Sequence, residues 1–279
     1  NAYAFSDFAG FPSDLYRPVN VPPPAANYFV GGSMSNPHVT EETDTSSFAL
    51  ADMMTFADGK FILTLGARDQ SLATDTFDYN SGARISSYDE SKVTPVGGLV
   101  YRPTESVSIF ANYIEGLVAG GIAPTVGPGG ETVANGGQAQ DPSQAEQIEA
   151  GVKYDAGNFG ATLSLFNVTK GFSILEGFDD PSTVGNDLIY RNDGEQRHRG
   201  VEASFFGQPL EHLRVIGGIT WLDAEMTKTQ GGVNEGKTPI GAPETQANVN
   251  VEWDLAALEG VTLEARAMYT SSQYADSAN

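Results

Sequence analysis

The chain is constrained most by two stretches of strict two-residue alternation that meet at a short turn within residues 188–227. Before the turn Gly207-Gln208-Pro209-Leu210-Glu211, Val201, Ala203 and Phe205 alternate with Glu202 and Ser204. After it, Leu213, Val215, Gly217, Ile219 and Trp221 alternate with Arg214, Gly218 and Thr220. Successive side chains of a strand point to opposite faces, so each run has one apolar face and one polar face. Strands in globular sheets average about 5–6 residues, and a strand tilted by about 45° needs roughly 9–11 to cross a bilayer. These runs are long enough to cross and continue beyond.

The same pattern recurs along the chain. Residues 45–57 and 60–74 flank Asp58-Gly59, a dipeptide favoured in two-residue hairpin turns, with Phe61, Leu63, Leu65 and Ala67 on one face of the second run. Val107, Ile109, Ala111 and Tyr113 follow Arg102-Pro103-Thr104-Glu105; Ile148, Ala150, Val152 and Tyr154 meet Phe159, Ala161, Leu163 and Leu165 across Asp155-Ala156-Gly157. The last pair sets Ala247, Val249, Val251 and Trp253 against Val261, Leu263, Ala265, Ala267 and Tyr269. Short turns (58–59, 102–105, 155–157, 207–211, 254–260) therefore alternate with long connections (75–87, 118–142, 171–187, 228–241). A transmembrane barrel has such an asymmetry, because one rim carries short turns and the other carries long external loops. Phe56, Phe61, Tyr101, Tyr154, Phe159, Phe205 and Trp253 lie beside the short turns, as an interfacial girdle requires.

The polar faces carry Glu149, Lys153, Glu202, Arg214, Glu252, Glu264 and Arg266. Burying such charges in a sandwich core costs several kcal/mol each unless they are paired, on the order of the penalty for desolvating a charge. A wet or plugged lumen accommodates them, and so does the solvent face of a soluble sandwich; strand length and loop alternation favour the barrel. Arg197 and Arg199 take the apolar-face parity of their strand, which places them at an upper membrane interface unless a bulge turns them inward.

Composition removes several function classes. With 15 Lys+Arg against 36 Asp+Glu, the net charge is −21, and no basic patch offers a nucleic-acid partner. Cysteine is absent, leaving His38, His198 and His212, far apart in sequence, as the imidazole groups. No G-x-S-x-G elbow, phosphate loop or HExxH motif occurs, so an enzyme is not expected. No run of 18 apolar residues marks a transmembrane helix, a criterion blind to barrel strands. Residues 1–43, with six prolines, read as an extended surface loop region without regular elements, and 44–279 as successive hairpins of a single domain over 1–279.

Four segments carry a resemblance. Tyr113-Ile114-Glu115-Gly116, residues 146–154 (EQIEAGVKY), residues 193–202 (DGEQRHRGVE) and residues 217–224 (GGITWLDA) resemble successive barrel-strand motifs of TonB-dependent siderophore receptors, and the likeness runs in order from about Ser46 to Asn279. It implies an all-β fold, a transmembrane antiparallel up-and-down β-barrel, of which the ten or eleven strands read here are part of an expected 22. It implies residence in the bacterial outer membrane, in contact with its lipid. It implies uptake of ferric siderophore complexes driven by the TonB, ExbB and ExbD proteins. The plug domain and the TonB-contacting N-terminal region of that family have no counterpart in these residues, and the chain reads as a fragment. No cofactor is expected, since iron arrives inside its chelate. The alternatives are a passive or structural porin-like barrel, or uptake of another nutrient such as haem or cobalamin.

An iron chelate presents apolar rings, amides and oxygen-rich faces, which aromatic and polar side chains at the long-loop rim bind. Tyr28, Phe29, Phe172, Phe178, Tyr190 and Arg191 are the candidates, each otherwise a residue of loop packing.

Overall fold

The computed structural model describes residues 6–8, 14, 16–17, 19–20, 22, 26–29, 38–79, 81–178 and 187–279; the side chains of 6–8, 26–29, 178 and 187 lie outside that description. Ten long strands form one antiparallel sheet in sequence order: β3 (Glu41–Phe56), β4 (Phe61–Phe77), β5 (Arg84–Tyr101), β6 (Val107–Val118), β7 (Ser143–Asp155), β8 (Phe159–Phe178), β9 (Asp187–Leu210), β10 (Leu213–Lys228), β11 (Thr245–Asp254) and β12 (Thr262–Thr270). Each strand pairs with its sequence neighbour, the up-and-down order expected, and the sheet is open at β3 and β12. Among the described residues no helix is long and apolar enough to cross a membrane; the strands are the elements with the reach. β9 alone has 24 residues.

The chain divides into two compact units. In the first, residues 1–46 and 72–89, β1 (Ser6–Phe8) and β2 (Ala26–Phe29) pair as a separate two-stranded sheet. The region read as loop without regular elements thus contains a short antiparallel pair that is separate from the large sheet. Three residues are too short to show a period, so alternation gave no signal there. Arg84 and Asp75 pair at 3.4 Å in this unit.

The second unit, residues 47–71 and 90–279, holds most of the large sheet. Its registers place the predicted apolar sets on one face. Tyr113 pairs with Ile148, Val152 with Leu163, Leu165 with Val201, Ile219 with Ala203 and Ala247, and Val249 with Ala267. Among the described residues no second protein layer covers them: Ile148 is 58% exposed, Leu163 54% and Leu263 51%. Apolar side chains left this bare over the seven strands β6 to β12 are stable only against an apolar solvent. The opposite face is hydrogen-bonded. Asn112 Nδ2 donates to Glu149 at 3.1 Å, and Lys153 Nζ lies 5.0 Å from the centre of the Phe110 ring.

The ends of the apolar band are chemically distinct. At the short-turn rim Phe61 stacks on Tyr101 with ring centres 4.7 Å apart. At the other end, beyond the Trp221–Val201 pair, Arg199 faces Asp223 at 2.7 Å and Arg197 faces Glu225 at 2.5 Å. Both arginines keep the outward parity, with no bulge between them and Val201, and each is neutralised by a cross-strand carboxylate.

Several boundaries move. The Asp58-Gly59 turn closes as predicted, with Lys60 N–H donating to Ala57 O at 3.1 Å. The 207–211 turn is tighter than its sequence suggests: Leu210 pairs with Leu213, and the reversal falls on Glu211-His212, His212 adopting φ 66°. Gly207, at φ 126°, sits beside a register shift in which Val215 becomes its partner. The connection expected at 171–187 is largely strand, since β8 runs to Phe178 and β9 begins at Asp187 through a shift at Phe172/Ile174. That bulge breaks the period of two, which is why alternation hid it.

Candidate functional site

Few described apolar residues are truly buried, and they do not belong to the apolar band of the wall's middle. In the second unit they are Ala123, Val133, Ile174 and Ala224, two of them in the connection between β6 and β7. That connection, residues 119–142, is glycine-rich and has no periodicity, yet it is pinned at many points. Its own arms meet at the Ile122–Ala139 and Val126–Thr132 bridges. Its crest adds to the start of β9 as a short parallel segment: Leu188 N–H donates to Thr132 O and Ala134 N–H to Leu188 O, both at 2.8 Å. One residue further on, Asn135 replaces the ladder with its side chain. Its Nδ2 donates to Tyr190 O at 2.8 Å, and its Oδ1 accepts from Tyr190 N–H at 3.0 Å. The Leu188 and Tyr190 backbone groups facing the connection are thereby satisfied.

The far arm of the connection is tied to the same hairpin. Asn192 Nδ2 donates to Asp141 O at 2.5 Å, and the Asn192 Oδ1 is bonded to the Ser173 hydroxyl. Between this arm and the upper ends of β7 to β10 opens a cavity of about 640 Å³. Such a volume is within the range of roughly 300–1,000 Å³ that small-molecule sites occupy. Its walls are polar, with Lys92, Gln140, Asp141, Gln144, Glu146 and Asp193 among them. Lys228 Nζ stands 2.9 Å from Asp193 Oδ1, and Thr227 Oγ1 donates to Glu195 Oε1 at 2.7 Å. Gln144 Nε2 donates to Glu115 at 2.6 Å, and the same carboxylate is bonded to the Tyr113 hydroxyl. Among the described residues no group of three or more His, Asp or Glu side chains is placed to hold a metal ion.

Of the six sequence candidates, three meet on the β8–β9 hairpin that borders this cavity. Phe172 pairs with Gly194, and its ring covers that glycine so closely that a Cβ there would fall 2.5 Å from Phe172 Cε2. Tyr190 pairs with Leu175, and its ring lies over Gly121 of the docked connection. Arg191 pairs with Ile174 and is exposed. All three are strand residues, where sequence had allowed loops. Phe178 is paired with Asp187 at the end of the hairpin, but its side chain lies outside the described residues. Tyr28 and Phe29 belong to β2 in the other unit, paired with Asp7 and Ser6, and their side chains also lie outside the description. Sequence reasoning missed Asn135, Asp141, Asn192 and the Asp193–Lys228 pair. The Asn135-Gly136-Gly137 run signals a turn, and nothing local signals that the turn grips a strand fifty-five positions away.

A family model described as TonB dependent receptor-like, beta-barrel, matches residues 2–279. The chain is 35% identical over 250 residues to the ferrichrome receptor FcuA of Yersinia enterocolitica, covering 90% of this chain and 32% of that protein. It is 29% identical over 248 residues to the metal-pseudopaline receptor CntO of Pseudomonas aeruginosa, covering 86% and 32%. Among solved structures, BauA, the ferric preacinetobactin receptor from Acinetobacter baumannii, matches with a TM-score of 0.75 at 38% identity, over 94% of this chain and 36% of that one. The unliganded ferric citrate transporter FecA shares the fold at 18% identity, with a TM-score of 0.61 over 91% and 36% of the two chains. All four are receptors or transporters by name, and this chain spans only 32–36% of the length of each. A wall with one bare apolar face, alternating short and long connections, and a family match over nearly every residue give one conclusion: the chain belongs to the TonB-dependent receptor family, as part of an outer-membrane β-barrel.

Proposed function

We propose that the protein to which this chain belongs takes up ferric siderophore complexes across the bacterial outer membrane, as a transporter and not as an enzyme. The observation that carries this reading is the two-faced sheet, apolar and uncovered on one side and hydrogen-bonded on the other, with a polar cavity between the β6–β7 connection and the strand ends. A barrel wall of this kind separates lipid from an aqueous interior. Kinship to receptors named for ferrichrome and ferric preacinetobactin supports the class of cargo. Iron enters already chelated, so the chain needs no resident cofactor or metal ligands. Energy comes from TonB with ExbB and ExbD, through parts of the longer relatives with which this chain does not align. The edges of β3 and β12 are completed by neighbouring strands in the membrane, because lipid leaves no backbone group unpaired.

The test is growth of a deletion strain under iron limitation on a panel of purified ferric siderophores. Rescue by at least one of them that depends on both the gene and TonB is expected. Rescue by none, with loss of uptake of haem or cobalamin instead, overturns the assignment of cargo.

A further inference from the structure

We propose that Gly151, Gly160, Gly194 and Gly200 let four phenylalanine rings lie down against the hydrogen-bonded face of the sheet, and so keep the passage along that face clear for the chelate. The inference rests on the siderophore-uptake reading above and adds positioning residues for the transport step. Among the described residues, Phe110 is two positions from Asn112, Phe166 is directly opposite Glu149, and Phe172 and Phe206 continue the same parity on β8 and β9. Each of these rings has a glycine as its cross-strand partner: Phe110 pairs with Gly151, Phe166 with Gly200, Phe172 with Gly194 and Phe206 with Gly160. With 32 glycines among 279 residues, four such pairings in four are more than composition supplies. On the β8–β9 hairpin they recur at a fixed interval, positions 160, 166 and 172 of one strand meeting 206, 200 and 194 of the other. They run up the wall from the short-turn rim to Gly194 at the polar cavity.

Backbone conformation does not require these glycines. None of the four has a positive φ, and a glycine inside a strand weakens it. Space requires them. A side chain in a strand ordinarily stands away from the sheet. Here a Cβ built at Gly151 would fall 2.7 Å from Phe110 Cζ, at Gly200 2.7 Å from Phe166 Cζ, at Gly194 2.5 Å from Phe172 Cε2 and at Gly160 2.8 Å from Phe206 Cζ. The outer atoms of each ring therefore occupy the place of the missing side chain, and the ring lies across the neighbouring strand, an aromatic cover over glycine. At Gly160 the three nearest atoms all belong to the Phe206 ring. Phe206 is 58% exposed, so a methyl group at Gly160 sends that ring the one way open to it, off the wall and into the aqueous interior.

The test uses the full-length receptor in the deletion strain, with radioactive iron supplied as a ferric siderophore that rescues growth in the panel above. Affinity is read on chilled cells and the initial uptake rate, at saturating complex, on energised ones, both corrected for folded receptor by heat-modifiable migration. Gly160→Ala should bind as wild type does and take up iron severalfold more slowly, the mark of a step after binding. The Gly160→Ala/Phe206→Ala double variant should recover the wild-type rate, because the displaced ring is gone. A purely structural role predicts instead less folded receptor with an unchanged rate per folded molecule. Phe206→Ala alone should transport at the wild-type rate, a result that does not depend on Gly160→Ala folding. A wild-type rate per folded Gly160→Ala receptor, a double variant as slow as Gly160→Ala, or slow uptake by folded Phe206→Ala overturns the proposal and leaves siderophore uptake standing. Failure of every siderophore of the panel to enter wild-type cells through this receptor overturns siderophore uptake and the proposal with it.

Discussion

The side-chain amide of Asn135 occupies both backbone hydrogen-bonding groups of Tyr190, at 2.8 and 3.0 Å, and so stands in for a strand partner. Through it the longest described connection is spliced to the hairpin that carries Phe172, Tyr190 and Arg191. An irregular segment thereby becomes a fixed wall of the cavity.

Asn135→Ala removes both bonds, each contributing about 0.5–1.5 kcal/mol net. We expect faster amide hydrogen exchange at Leu188, Ala134 and Tyr190, with exchange in the β9–β10 ladder at Ala203 and Ile219 unchanged. Unaltered exchange at Leu188 would show that the parallel bridge holds the connection by itself.

Tyr190→Ala and Arg191→Ala should weaken binding of the transported chelate, by roughly tenfold together if each loses about one hydrogen bond or stacking contact of ordinary strength. Barrel assembly should be unaffected, because Tyr190 is held through its backbone and Arg191 is exposed. Affinity equal to wild type removes both from the binding surface.

At the short-turn rim Arg214 ties two carboxylates of β11, donating to Glu252 at 2.9 Å and to both oxygens of Asp254 at 2.7 and 3.0 Å. Glu264 faces Glu252 from β12, so Arg214→Ala leaves like charges opposed. The variant should unfold at a lower temperature than wild type in low salt, with the gap narrowing as salt is added. A gap independent of salt would assign the loss to packing of the arginine stem.

Leu163→Arg places a charge on the bare apolar face, and Glu202→Arg places one on the other, at a residue that is exposed there. The first should cost about 2–4 kcal/mol if it lies near the bilayer midplane and reduce the heat-modifiable, folded fraction. The second should leave that fraction high. Equal losses would mean that both faces are packed against protein.

The sheet was legible because its information is local. Alternation fixes which side chains share a face, and a one-residue slip would reverse all of them, so the registers around Val152, Leu163, Val201 and Ile219 follow once the turns are placed. Legibility failed where the period of two fails. The shift at Phe172/Ile174 turned a long stretch of strand into an apparent loop, and the pairing of Ser6–Phe8 with Ala26–Phe29 is too short to carry a pattern. Of the residue types expected near strand ends, Phe172, Tyr190 and Arg191 lie on the hairpin that borders the cavity, and none of them is among its lining residues. The docking of the β6–β7 connection through Asn135 and Asp141, by contacts spanning more than fifty positions, leaves no periodic trace.

The most direct measurement concerns which face meets lipid. The chain has no cysteine, so single cysteines at Leu163, Val201 and Val249, and at their neighbours Thr162, Glu202 and Asn248, can each carry a small fluorophore in the full-length receptor reconstituted with brominated lipids. Strong quenching at the first three positions and weak quenching at the second three is the result the two-faced wall predicts. Equal quenching within each adjacent pair would contradict it.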